Sequence, residues 1–235
     1  MGRQRNIKFV GTKANLIFYE RKGGYYIRTK PVTVKQSRAT HSSANNFGKA
    51  SGLAKAIRLC AASILPFKPG RVLINSLNKN VYACLCNSNL TAAEALPFIT
   101  GFEFNEKSKL AERFKIKIPI PVVNDEGIIV QLSAFNTKQQ ITAPAYTKKI
   151  TLKIAAANIN FKNPAVCSSN NVGLTIDYDN NSTAAQEINI PLTVTKGSLL
   201  LLMMALEYET HKNNFTKTVR DLRWMPAGIV NAVII

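Results

Sequence analysis

The stretch FKIKIPIPV, Phe114 to Val122, sets Phe114, Ile116, Ile118 and Ile120 in alternation with Lys115, Lys117, Pro119 and Pro121. Successive side chains of an extended chain point to opposite faces, so this period of two reads as a strand with one buried and one wet face. The same texture continues downstream in runs at 127–135, 148–161, 172–179, 186–195, 199–210 and 227–235. In the run at 186–195, Ile188, Ile190, Leu192 and Val194 alternate with polar residues or Pro191. Loops such as Asn124-Asp125-Glu126-Gly127 and Asp179-Asn180-Asn181-Ser182 separate the runs. About seven antiparallel strands joined this way predict a two-sheet β-sandwich. The Cys-Trp-Cys pattern of antibody domains is missing, because only Cys167 lies in this half and the single Trp224 stands near its end. The order of strands is therefore open between immunoglobulin-like, jelly-roll-like and other Greek keys.

Upstream of Phe104 the period changes. Phe47, Ala50, Ala54, Ile57, Ala61 and Ile64 recur at three and four residues within Ala39 to Leu65, with Lys49, Lys55 and Arg58 beside or opposite that stripe. This predicts an amphipathic helix with a cationic outer surface. Pro66 and Lys68-Pro69-Gly70 end it, and a second helix runs from Arg71 to about Cys86 with Leu73, Leu77, Val81 and Leu85 on one side. Thr91 followed by Glu94 is a capping-box signature for a short third helix closed by Pro97. The start of the chain reads as a β meander of Asn6–Val10, Asn15–Glu20 and Tyr25–Thr29, turned at Gly11-Thr12-Lys13 and Lys22-Gly23-Gly24. The fold class is thus α+β, with a hairpin-plus-helix module at 1–104 and a β-sandwich at 105–235.

Charge is concentrated at the start. Of 31 basic residues, 16 lie in residues 1–80 against the single acid Glu20, while residues 81–235 carry 15 basics and 12 acids. A cationic field of this kind suits nucleic acid, an anionic membrane surface or an acidic partner. MGRQRNIKFV is basic but leads into alternating residues, and SLLLLMMAL, Ser198 to Leu206, is too short to span a bilayer. Cys60, Cys84, Cys86 and Cys167 form no disulfide framework. Reduced thiols and a cytoplasmic location follow as expectations, and the sequons at Asn89, Asn181 and Asn214 then carry no weight.

Catalytic chemistry has little to stand on. His41 and His211 lack a Cys or carboxylate at ligand spacing, and Cys84-Leu85-Cys86 has one intervening residue where a redox pair has two. Asp125-Glu126 and Asp177-Tyr178-Asp179 sit where turn formation explains them. Gly48-Lys49-Ala50-Ser51-Gly52 lies inside a helical pattern, not between a strand and a helix. No enzyme, cofactor or metal is expected.

Binding and assembly remain. Phe18, Tyr19, Tyr25 and Tyr26 interleave with Arg21, Lys22, Arg28 and Lys30, which suits stacking and phosphate contact or, alternatively, docking of the hairpin on helices or on another subunit. Ala227 to Ile235 is an apolar strand with no charge to protect an edge, so it must be central, covered or donated to a neighbour. The expected function is a non-enzymatic structural or assembly protein, a homo-oligomer built through sheet edges and the amphipathic helix, within a particle or filament. Its basic module would face an anionic partner. The alternative is a nucleic-acid-binding protein whose phosphate contacts come from Arg3, Arg5, Lys8, Arg21, Lys22, Arg28, Lys30, Lys49, Lys55 and Arg58. A third reading is a calcium- or carbohydrate-binding sandwich using the loops near Asp125 and Asp177.

The opening MGRQRNIKFVGTKANLIFYERKGGYYIRTKP, the NFGKASGLAKAIR helix and the closing LLLLMMALEYET and AGIVNAVII resemble a broad set of uncharacterised Bacteroidetes proteins. These share a Gly-Thr turn, a Phe-Tyr strand, a Gly-Tyr hairpin and a β-rich second half. The resemblance implies a lineage and a cytoplasmic start, and it transfers no functional residue.

Overall fold

The chain reverses at Lys22-Gly23, where both residues take positive φ, 49° and 70°, as a two-residue hairpin turn of the right twist requires. In this computed structural model, which describes residues 2–4, 8–33, 37–87, 96–124, 127–179 and 181–235, that hairpin belongs to a four-stranded antiparallel sheet. Its strands are β1 (Gly2–Arg3), β2 (Gly11–Lys13), β3 (Leu16–Arg21) and β4 (Gly24–Thr29), in the order β1-β4-β3-β2. The first strand is displaced from its expected position. Residues 8–10 lie outside any strand, Asn6 and Ile7 fall outside the described residues, and Gly11–Lys13 is itself a strand. The turn that follows is carried by Ala14, at φ 51°.

The chain divides into two units, Met1–Ser43 and Ala44–Ile235, so the boundary expected near 104 falls inside the second. Helix α1 (Arg38–Ala61) begins in the first unit and runs into the second, where α2 (Arg71–Asn87) follows. Most of each sequence stripe is covered: Ala50, Ala54, Ile57, Ala61, Ile64, Leu77 and Val81 are buried, Leu73 and Leu85 half-buried, and Phe47 exposed. The capping box at Thr91 and Glu94 lies outside the described residues.

Beyond them the second unit contains α3 (Leu110–Arg113), β5 (Val122–Asn124), β6 (Gly127–Leu132), β7 (Phe135–Asn136) and α4 (Thr137–Gln140). Then come β8 (Thr147–Asn160), β9 (Cys167–Asp177), β10 (Ser182–Thr183), β11 (Gln186–Ile190), β12 (Ser198–Lys212), β13 (Phe215–Thr218) and β14 (Ala227–Ile234). Strand β12 is the axis of a five-stranded antiparallel sheet. On one side it pairs with β8, which pairs with β9. On the other it pairs with β14 along Leu199–Ala205 and with β13 along Glu209–Lys212. Strands β11, β6 and β5 form a second sheet, and β10 and β7 a two-stranded ribbon.

The run SLLLLMMAL is continuous because β12 is buried on both faces. Leu199, Leu201, Met203 and Ala205 join a core with α1 and α2 residues such as Ile57 and Leu77. Leu200, Leu202, Met204 and Leu206 join a second core with Ile128 and Val130 of β6 and Ile188 and Ile190 of β11. Each such leucine, isoleucine, valine or methionine contributes roughly 1.5–3 kcal/mol by leaving water. The large sheet therefore packs helices against one face and the small sheet against the other; the α+β class and the β-rich second half are as expected, and the large sheet has five antiparallel strands.

Two expected strands shrink for the same reason. Of Phe114–Val122, Phe114 makes an isolated bridge to Ile141 and β5 starts at Val122, while residues 115–121 lie outside any strand. Pro119 and Pro121 have no N–H to give a ladder. Ile116 and Ile118 still pack on the second core, whereas Ile120 is 52% exposed. Pro191 likewise ends β11 at Ile190.

The apolar C-terminal strand is covered from within the chain. On the side of β14 away from β12, Leu96 N donates to Ala232 O (2.7 Å), Gly101 N to Ile229 O (2.8 Å) and Phe104 N to Ala227 O (2.7 Å). Ile229 N donates in return to Phe102 O (2.8 Å), and Glu103 bridges Gly228.

Candidate nucleic-acid interface

The N-terminal sheet has no core of its own: among its described residues only Gly24 is buried. Its register decides which side chains share a face. Arg3 stands opposite Tyr26, Tyr26 opposite Tyr19, Ile17 opposite Arg28, and Arg21 opposite Gly24. Cross-strand partners lie on one side of a sheet and neighbours along a strand alternate, so Arg3, Ile17, Tyr19, Arg21, Tyr26 and Arg28 occupy a single face. Their geometry is that of a stacking platform edged by cations. The Tyr19 and Tyr26 rings are stacked at 5.8 Å with planes 28° apart, and the Arg28 guanidinium sits 5.7 Å from the Tyr19 ring. The Tyr26 ring lies over Gly24, where a Cβ would come within 2.9 Å of it.

The opposite face carries Leu16, Phe18, Tyr25 and Ile27. Phe9 packs edge-on against Phe18 at 5.9 Å, and Lys8 lies over the Tyr25 ring at 5.2 Å. Gln4 ties this face to the strands. Its Nε2 donates to Phe9 O (3.1 Å) and Tyr26 O (3.0 Å), and its Oε1 accepts from Phe9 N (2.7 Å). The result is a hollow of about 370 Å³ bounded by Arg3, Gln4, Lys8, Gly23, Gly24 and Tyr25. Two cations, Arg3 and Lys8, thus line one hollow beside glycines that leave the backbone open to approach.

The structure thus gathers Arg3, Lys8, Arg21, Arg28, Tyr19, Tyr25 and Tyr26 on one small sheet. Lys22 is in the turn and Lys30 follows β4, both exposed, while Arg5 lies outside the described residues. Lys49, Lys55 and Arg58 belong to the second unit. Lys49 and Lys55 are exposed, but Arg58 is half-buried, its Nη1 donating to Asn78 Oδ1 of α2 (3.5 Å), and burial holds its pKa below the ordinary arginine value. Arg58 therefore serves helix packing as well as surface charge. The Arg3–Lys8 hollow was not visible in sequence, since it depends on a side chain, Gln4, that reaches across to β4.

Other candidates resolve as follows. Among the described residues no three of His, Cys, Asp and Glu come together as a metal-binding group. Asp125 lies outside the described residues, and the Asp179 carboxylate is turned to Asn181, accepting from its N (2.9 Å) and Nδ2 (2.8 Å). His41 is exposed on α1, and His211 Nδ1 pairs with Thr216 Oγ1 at 3.1 Å. Cys84 is buried and Cys86 exposed. Among the described residues no helix is long and apolar enough to cross a membrane. No protein-family model, curated protein or solved structure matches this chain.

Proposed function

We propose that the N-terminal unit is a single-stranded nucleic-acid-binding module, non-enzymatic, that seats backbone phosphate against Arg3, Lys8, Arg21 and Arg28 and stacks bases on Tyr19 and Tyr26. The observation that carries this reading is the Tyr19–Tyr26 platform with three arginines on its own face. Stacking on aromatics beside a cationic track is how single strands are held without sequence preference.

Charge separates this reading from docking on another copy. Residues 1–43 carry ten basic residues and one acid, and residues 44–235 carry 21 basic and 12 acidic residues. Both units are cationic, so the arm of one copy placed on the body of the next sets like charge against like charge, whereas an external polyanion relieves both. Assembly through a sheet edge stands as a second reading, favoured by the unpaired side of β9. The sandwich-like packing of the two sheets in the second unit would then act as the scaffold.

The test is fluorescence anisotropy of a labelled oligothymidylate titrated with the full chain, purified free of nucleic acid. Binding that weakens with salt and is reduced by the double variant Arg21→Gln/Arg28→Gln is expected. An absence of binding at low salt would refute the proposal.

A further inference from the structure

Strand β9 is the outermost strand of the five-stranded sheet, paired over its length with β8. Among the described residues no other strand pairs with its outer side. Long edges are ordinarily blunted by charge, proline or a cover, since a row of free backbone groups templates further pairing. The edges beside β12 follow this rule: residues 96–104 cover β14, and β13 is four residues long with Lys217 in it. Strand β9 does not follow it. Of its residues Cys167–Asp177, CSSNNVGLTID, only the last is charged, and none is proline or a cation.

Its two faces are distinct. Val172, Leu174 and Ile176 point to the second core; Ile176 is buried and the other two half-buried at its rim. Ser169, Asn171, Gly173 and Thr175 are exposed on the other face. We propose that β9 pairs antiparallel with β9 of a second copy about a two-fold axis at Gly173, joining two five-stranded sheets into one continuous sheet.

Three features single out a second copy as the occupant. A two-fold axis perpendicular to the sheet keeps the two cores on the same side, and with Gly173 at the axis it sets Val172 beside the partner's Leu174 and Leu174 beside the partner's Val172. The half-buried rim residues thereby cover each other, which contributes as cross-strand apolar pairs do. On the opposite face Asn171 meets the partner's Thr175, a polar pair. Finally, a chain of net charge +18 meets its copy along the one long strand edge, among the described residues, that carries no cation. This inference concerns the second unit and stands or falls apart from nucleic-acid binding by the first.

Sedimentation velocity on the full chain, after nuclease treatment and at about 0.15 M salt, where charges a few ångströms apart still interact, reads it directly, and a concentration-dependent dimer is expected. Gly173→Lys sets two ammonium groups opposite each other across the axis, about 5 Å apart at Cβ, and should raise the dimer dissociation constant at least tenfold. The substitution suits the fold, because a Cβ at 173 meets only Thr151 Cγ2 at 3.8 Å. Gly173→Ala should leave the dimer intact. If Gly173→Lys fails to fold by circular dichroism, Thr175→Lys on the exposed face takes its place. A native chain that stays monomeric at every concentration overturns the proposal, as does a dimer or larger oligomer indifferent to these lysines.

Discussion

Replacing Arg21 and Arg28 by glutamine should change the salt dependence of single-strand binding, not only its strength. Three arginines, Arg3, Arg21 and Arg28, share the face of the stacked tyrosines, and a fourth cation, Lys8, stands over Tyr25 on the opposite face, at the hollow it lines with Arg3. Each phosphate neutralised on a single strand contributes about −0.7 to the slope of log affinity against log salt, so four contacts give about −2.8. Between 50 and 200 mM salt that slope predicts an affinity loss of about 50-fold. Removing two contacts brings the slope to about −1.4 and the loss over the same interval to about sevenfold. The assay is an anisotropy titration of a labelled single strand at several salt concentrations, with the folded state of both proteins confirmed by circular dichroism. Tyr26→Ala should act differently, weakening binding by roughly 1–3 kcal/mol with the slope unchanged, since stacking releases no counterions. A native slope near zero would refute phosphate contact by these four cations. An unchanged slope in the double variant would refute the choice of residues.

The second unit offers sharper stability tests. Gly127 has φ +154°, and a Cβ there would strike the Ile190 carbonyl and lie 2.9 Å from Pro191 Cα, so Gly127→Ala should destabilise by about 2 kcal/mol or more in urea unfolding; an unaltered midpoint contradicts the β6–β11 junction described. Tyr208→Phe removes the hydroxyl that donates to Thr142 O (2.9 Å) and should lower stability by about 1 kcal/mol while keeping the edge contact with Trp224. Burial raises the Glu103 carboxyl above its ordinary value, against the opposing pull of the Ala111 and Leu110 amides that it accepts from. The folded state therefore holds that proton more tightly than the unfolded chain does. Its stabilising effect is full below the unfolded value and fades as pH rises through the raised one; Glu103→Gln should flatten this part of the stability curve. Burial also pushes the Cys60 thiol up to about 12, so native alkylation at neutral pH followed by mass spectrometry should modify exposed Cys86 well before Cys60.

Sequence periodicity located what local chemistry controls. The stripe Ala50, Ala54, Ile57, Ala61 and Ile64 is buried as read, because a helix face is a local property. Phe47, on the same stripe, is 53% exposed and leans on Tyr82 at 6.4 Å, where the helix runs past its cover. The stretch at 114–122 misled because alternation records only which way side chains point. A strand also needs donors and a neighbour, which Pro119 and Pro121 withhold. Strand β13, FTKT, has no apolar alternation and is exposed throughout; the register of β12 alone recruits it. At the candidate site the opposite facing of Phe18 and Tyr19 was legible, but the Arg3–Lys8 hollow rests on Gln4 bonding to Tyr26, which no local pattern announces.

The placement of β12 and β14 has a consequence for biosynthesis. Helices α1 and α2 are complete once residue 87 has been made, yet the apolar face that covers them comes from Leu199–Ala205 and Ala227–Ile234. At about 5–20 residues per second, residues 88–234 take roughly 7–30 seconds to synthesise. Through that interval Leu53, Ile57, Leu77 and Val81 have no sheet to rest on, and Lys49, Lys55 and Lys79 on the same helices keep the nascent segment hydrated. A ribosome stalled before Ala227 would therefore hold a product in which that helical face lacks the β14 part of its cover.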